Sequence, residues 1–252
     1  MKLRQMKQLF LLTILIMMVG CQPFDKHKNV IYLVGDSTMA TKKEDRRPET
    51  GWGEMLPNYF QNGVQIENHA VNGRSTKSFR DEGRWQTIVN KLQKNDMVFI
   101  QFGHNDSKVN SPDRYASPTQ YYQNLIDFVE DVQSKDAIPV ILTLVVRRRF
   151  NDDGQLYRSH GDYPEMARKA AAEKGVVLID MQAKSEKLLI ETGESDSEML
   201  YLWLDEGVND NYPEGVADNT HFSAAGAEIM AGLVVEGIKN TDLAINKYLK
   251  SL

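Results

Sequence analysis

Four short stretches of this chain carry side chains that together could perform acyl transfer. They are Gly35-Asp36-Ser37-Thr38, Asn72-Gly73-Arg74-Ser75, Gly103-His104-Asn105-Asp106 and Asp218-Asn219-Thr220-His221. A serine hydroxyl is a weak nucleophile near neutral pH until an adjacent base takes its proton. His221 suits that task, and Asp218, three residues earlier, can sit beside its ring if the chain between them turns tightly. Such a carboxylate fixes the imidazole tautomer, stabilises the imidazolium and leaves Nε2 to face a hydroxyl. Ser37, freed by Gly35 at the end of an apolar run, is the hydroxyl to be activated. The oxyanion of a tetrahedral intermediate then needs donors aimed at it. The backbone N–H groups of Ser37 and Gly73 and the side-chain amide of Asn105 are the candidates.

Taken singly, each residue fits a plainer role. Ser37 fits a helix N-cap, Gly73 a turn, Asn105 an Asx-turn, Asp218 the surface and His221 the start of a helix. His69, His104 and the nearby aspartates invite a metal reading, and Gly103-His104-Asn105-Asp106 is almost an anagram of a metallophosphoesterase motif. A two-metal site needs further well-spaced histidines, and the chain has five, with His27 and His160 in a tether and a loop. No metal and no cofactor is therefore expected.

The elements that must bring these stretches together follow from the apolar patterning. Residues 30–34, 64–67, 97–101, 138–144 and 176–179 read as strands, most of them continuously apolar, as in a parallel sheet covered on both faces. Helices are expected over 52–60, 85–92, 118–135, 163–174 and 223–238. Ser117, Pro118 and Gln120 supply an N-cap, a first-turn proline and a capping-box partner. The alternation predicts one doubly wound α/β domain over 30–252. In such a sheet ligands gather outside the carboxyl ends of the strands, where the first three chemical stretches fall.

Residues 1–21 stand apart: Lys2, Arg4 and Lys7 precede an apolar run from Leu9 to Val19 that is too short to span a bilayer. This is the layout of an export signal, followed by a polar tether over 22–29. Met18-Val19-Gly20-Cys21 resembles the bacterial lipobox, which implies lipidation of Cys21, the single cysteine; a plain signal peptide is the alternative. Loss of those three basic residues takes the net charge from −5 to −8. An acidic chain with no basic stripe is a poor partner for nucleic acid. The expected location is the periplasm or cell envelope, with membrane contact only through the anchor.

The four stretches, spread over nearly all of the mature chain, resemble the blocks of the SGNH hydrolase superfamily, esterases and lipases of flavodoxin-like three-layer αβα fold with a five-stranded sheet. By position the resemblance implies Ser37 as nucleophile, Ser37, Gly73 and Asn105 as oxyanion donors, and Asp218 and His221 as the remaining triad. Within it, residues 35–40, 101–106, 145–150, 160–164 and 218–223 are similar to rhamnogalacturonan acetylesterases. That implies deacetylation of a pectic polysaccharide through an acetyl-enzyme. Acetylxylan or another small or lipid ester is a second enzymatic reading, and a glycan-binding lipoprotein without turnover is a non-enzymatic one. Arg147, Arg148 and Arg149 follow the fourth strand; guanidinium pairs well with carboxylate, so they are candidate binders of galacturonate, unless they form a solvated or ion-paired loop.

Overall fold

The computed structural model describes residues 29–251. The expected leader over 1–21, Cys21 and the tether up to residue 28 lie outside the described residues. Asn29, assigned to the tether by its polarity, is the first residue of strand β1, Asn29–Gly35.

Strand β1 pairs on one side with β2, Val64–Asn68, and on the other with β3, Met97–Gln101. Beyond β3 lie β4, Ile138–Leu142, and β5, Val177–Ile179, giving the order β2-β1-β3-β4-β5 with every pairing parallel. The apolar runs are continuous because successive side chains enter two different cores. Ile31, Leu33, Phe99, Val140 and Leu142 pack with Met230 and Val234 of the last helix, Ala224–Lys239. Val30, Tyr32, Val34, Val98 and Ile100 pack with Phe128, Val129 and Ala167 of the helices Pro118–Gln133 and Tyr163–Lys174. The result is the three-layer α/β architecture that the alternation predicts.

Local signals account for the helices and for the departures. At the start of Pro118–Gln133, the Gln120 N–H donates to Ser117 Oγ and the Ser117 N–H donates to Gln120 Oε1, the reciprocal cap expected from the sequence. The helix expected over 52–60 is one α-turn, Trp52–Met55, followed by a 3₁₀ segment, Leu56–Tyr59. Pro57 has no N–H with which to continue the α-ladder. The helix expected over 85–92 is Arg84–Val89, and the fourth strand stops at Leu142 rather than 144. Two further helices, Thr76–Asp81 and Met181–Thr192, were not anticipated. Asp180, whose carboxylate accepts from the Ala183 N–H, and Gly193 bracket the second and are signals that could have marked it. A two-stranded antiparallel ribbon, β6 (Tyr201–Leu204) with β7 (Val216–Phe222), was also missed, and it carries part of the site. No helix among the described residues is long and apolar enough to cross a membrane.

Candidate active site

Ser37 is presented by a turn that Asp36 builds. The buried Asp36 carboxylate accepts from the Thr38 N–H at 3.0 Å and the Thr38 hydroxyl at 2.9 Å, while its carbonyl accepts from the N–H groups of Met39 and Ala40. Burial pushes the Asp36 carboxyl above its ordinary range, against those bonds. The turn needs a residue without Cβ at its start: a Cβ on Gly35 would stand 2.6 Å from the Gln101 carbonyl oxygen.

His221 and Asp218 reach Ser37 from the ribbon. Leu202 pairs with Asp218 but Tyr201 pairs with Phe222, so Asn219, Thr220 and His221 are surplus to the register and bulge outward. The tight turn expected before the last helix is thus a bulge inside β7. Asp218 Oδ1 accepts from the N–H groups of Thr220 (2.7 Å) and His221 (3.0 Å), and Oδ2 lies 2.7 Å from His221 Nδ1. His221 Nε2 lies 2.8 Å from Ser37 Oγ. Partial burial works against the ionised Asp218 carboxyl, but the bonds from His221 and Thr220 outweigh it and hold the pKa down at about 2. A hydroxyl, a base and an orienting carboxylate therefore stand in one hydrogen-bonded line, the geometry required for nucleophile activation.

The cleft around this line has a volume of about 310 Å3, and Gly73 and Asn105 line it beside Ser37. Gly73 has φ +79°, and a Cβ there would meet the Arg114 guanidinium at 3.3 Å. The buried Asn105 amide donates one N–H to the Arg74 carbonyl at 3.0 Å, which fixes the amide plane and leaves its second N–H. Both residues are thus brought to the cleft beside Ser37. Their loops are braced by Asp106, whose Oδ1 accepts from the Thr76 N–H at 3.0 Å and from the Thr76 hydroxyl. Full burial drives the Asp106 carboxyl up to about 7, against those bonds, with Asp36 adding repulsion.

The arginine triplet is placed differently from expectation. None of Arg147, Arg148 and Arg149 is among the cleft-lining residues, whereas Arg46 and Lys108 are. Arg148 turns inward: its guanidinium donates to the Glu194 carbonyl, Ser197 Oγ, Glu198 Oε1 and Asn219 Oδ1, and lies 4.9 Å from the centre of the Trp203 ring. With its donors so committed, it is scaffold rather than a free sugar contact. Arg147 is partly buried and reaches the His104 carbonyl at 3.4 Å, and Arg149 is exposed. Sequence reasoning also missed Lys42 and Glu49. Tyr212, in the loop between β6 and β7, lines the cleft and donates to the Arg46 carbonyl. A larger groove, about 630 Å3, lies on the other side of the ribbon between Trp203 and the acidic side chains Glu198, Asp205, Glu206 and Glu214.

The histidines of the metal reading are otherwise engaged. His69 stacks on Tyr32 and pairs with Glu67, and His104 Nδ1 lies 3.1 Å from His160 Nε2 in a buried pair. Burial and their cationic neighbours hold His104 far below the usual imidazole range and His160 at about 3. Among the described residues no group of three or more His, Cys, Asp or Glu is placed to hold a metal ion.

A parallel αβα sandwich with a serine, a histidine and an aspartate aligned at its carboxyl edge has the architecture of an esterase. The sequence profile of the GDSL-like Lipase/Acylhydrolase family matches residues 33–229, and the chain belongs to that family. It is 38% identical over 221 residues to the rhamnogalacturonan acetylesterase RhgT of Bacillus subtilis, covering 88% of this chain and 94% of the relative. It is 37% identical over 222 residues to the probable rhamnogalacturonan acetylesterase YesY of the same organism, covering 88% and 97%. Among solved structures, the YxiM protein of Bacillus subtilis superposes with a TM-score of 0.74 at 25% identity, over 86% of this chain and 58% of that one. The chain thus spans under two thirds of that structure.

Proposed function

We propose that this protein is an exported serine esterase that removes acetyl groups from rhamnogalacturonan. The reading is carried by the line from Asp218 through His221 to Ser37, at 2.7 and 2.8 Å, in a chain whose similar proteins bear the name rhamnogalacturonan acetylesterase. Ser37 Oγ attacks the acetyl carbonyl carbon while His221 Nε2 takes its proton. The oxyanion is met by the N–H groups of Ser37 and Gly73 and the free N–H of Asn105. On collapse the C–O bond to the sugar breaks, and His221 returns the proton to the departing hydroxyl. Water, deprotonated by His221, then attacks the acetyl-enzyme and releases acetate and Ser37. Asp218, ionised at any physiological pH, stabilises the imidazolium in both halves.

An acidic polymer suits the charge around the cleft. Lys108 has its pKa lowered by burial and by its neighbours Arg114 and Arg147, and no carboxylate among the described residues lies within ion-pair distance of Lys108, Arg147 or Arg46. Arg46 and Lys108, the cations that line the cleft, are suited to a galacturonate carboxylate. Export, and anchoring through a lipid on Cys21, complete the reading, since the polymer lies outside the cell. Acetate release from acetylated rhamnogalacturonan, compared between wild type and Ser37→Ala, tests it: the variant is expected to release none above background, and equal release from both would refute the reading.

A further inference from the structure

We propose that Lys42 is a positioning residue that holds the nucleophile turn and the oxyanion loop in register. This inference rests on Ser37 being the nucleophile. The Lys42 side chain is fully buried, and its ammonium is held by two hydrogen-bond acceptors and one paired carboxylate. They are the backbone carbonyl of Ser37, Asn72 Oδ1 at 2.9 Å and Glu49 Oε1 at 2.7 Å. Each belongs to a different part of the site: the turn after β1, the loop after β2 beside Gly73, and the segment packed against His221. Glu49 Oε1 in turn stands 4.0 Å from His221 Nε2, the nitrogen that takes the proton.

One point charge thus joins the three pieces of chain that must surround a single carbonyl carbon. Stability alone does not explain it. Burying a charge pair costs desolvation that its attraction barely returns, and an apolar pair of the same size is often as stable. An apolar side chain could fill the space but could not fix a carbonyl, an amide oxygen and a carboxylate relative to one another. Catalysis is sensitive to such placement: a misplacement of about 1 Å costs about 100-fold.

Steady-state kinetics on a chromogenic acetate ester, with thermal unfolding, test this for wild type, Ser37→Ala, Lys42→Met, Lys42→Met/Glu49→Gln and Asn72→Ala. Lys42→Met is expected to lose about 100-fold in kcat with KM changed less than about threefold. The double variant, which no longer buries a lone carboxylate, is expected to regain thermal stability without regaining kcat. Asn72→Ala removes one partly buried contact without stranding a charge, and about a tenfold loss in kcat is expected. If Lys42→Met keeps kcat within about fivefold, or if the double variant restores it, the positioning role is overturned while an inactive Ser37→Ala keeps the triad reading intact. Should the Lys42 variants not fold, unchanged kcat in Asn72→Ala overturns the role. Full activity in Ser37→Ala overturns both readings.

Discussion

Arg148 holds Asn219, the residue between Asp218 and Thr220, at two points. Its backbone N–H donates to the Asn219 carbonyl at 2.9 Å, and its guanidinium donates to Asn219 Oδ1 at 3.2 Å, where the Trp203 indole N–H also donates at 3.1 Å. The bulge that carries Asp218 and His221 is therefore pinned from the loop after β4, on the side facing away from the cleft. The buried guanidinium is balanced by Glu198 at 2.9 Å.

Arg148→Met is expected to lower kcat through a mobile His221 rather than through substrate affinity. Its cost in stability is about 2–4 kcal/mol, because several charge-assisted bonds vanish together and the Glu194 carbonyl loses two of its donors. Arg148→Lys should rescue little, since an ammonium cannot reproduce the fork. Chemical unfolding and a split of kcat from KM check both statements. A rise in KM with kcat unchanged would return Arg148 to the role of sugar contact.

Removing single oxyanion donors gives a second expectation. Asn105→Ala should lower kcat by about 100- to 1000-fold, with KM little changed, because the lost bond strengthens only as charge develops. Gly73→Ala should lower kcat as well, for a different reason: φ +79° is strained for alanine and the added methyl meets Arg114 at 3.3 Å. Steady-state kinetics on a chromogenic acetate would show the two losses, and kcat within about fivefold of wild type for Asn105→Ala would remove it from the oxyanion site.

How much of this was legible in the sequence depended on whether the signal was local. The five strands of the sheet were readable because runs such as 30–34 feed two cores and so lack polar interruption. Ser37, Gly73 and Asn105 were readable because each sits in a short polar block after a strand, and Asp218 and His221 because they share one polar block three residues apart. The ribbon was not, since Asp218 to His221 departs from its own strand's register and reads as a turn. The fate of Arg148 was hidden for another reason. Nothing near it in sequence reveals that Glu194, Ser197 and Glu198, about fifty residues on, will surround its guanidinium. Lys42 is concealed in the same way, by partners that the chain brings from residues 49 and 72.

The pH dependence of stability should carry the mark of Asp106. Its carboxyl is raised from 3.8 to about 7, so between these values the unfolded chain has released a proton that the folded chain keeps. Stability from this group therefore falls as pH rises from about 4 to 7 and is flat above. Asp106→Asn, which keeps an oxygen for Thr76, removes that slope. The variant should gain on wild type steadily across this window in urea unfolding at several pH values. His104 and His160, held neutral in the fold, give the opposite slope below pH 6.5, but both proteins carry them and they cancel in the difference. A difference that stays constant from pH 4 to 7 would place the Asp106 proton elsewhere.

Substrate charge is the last expectation, and it separates binding from chemistry. Lys108 lines the cleft within the influence of Arg114 and Arg147, and like charges held together destabilise one another unless an anion enters between them. If the polymer places a carboxylate there, Lys108→Glu should raise KM for acetylated rhamnogalacturonan by about 10-fold or more, since the attraction becomes repulsion of comparable size. Its kcat for a neutral chromogenic acetate should stay near that of wild type, because Lys108 does not touch the Ser37–His221–Asp218 line. Salt supplies an independent check. Screening weakens exposed charge pairs as the Debye length shrinks from about 10 Å at 0.1 M to 3 Å at 1 M. Wild-type KM for the acidic polymer should therefore climb with ionic strength, and KM for the neutral ester should not. Equal responses of the two substrates, to the substitution or to salt, would mean that the cations at the cleft do not read the polymer's charge.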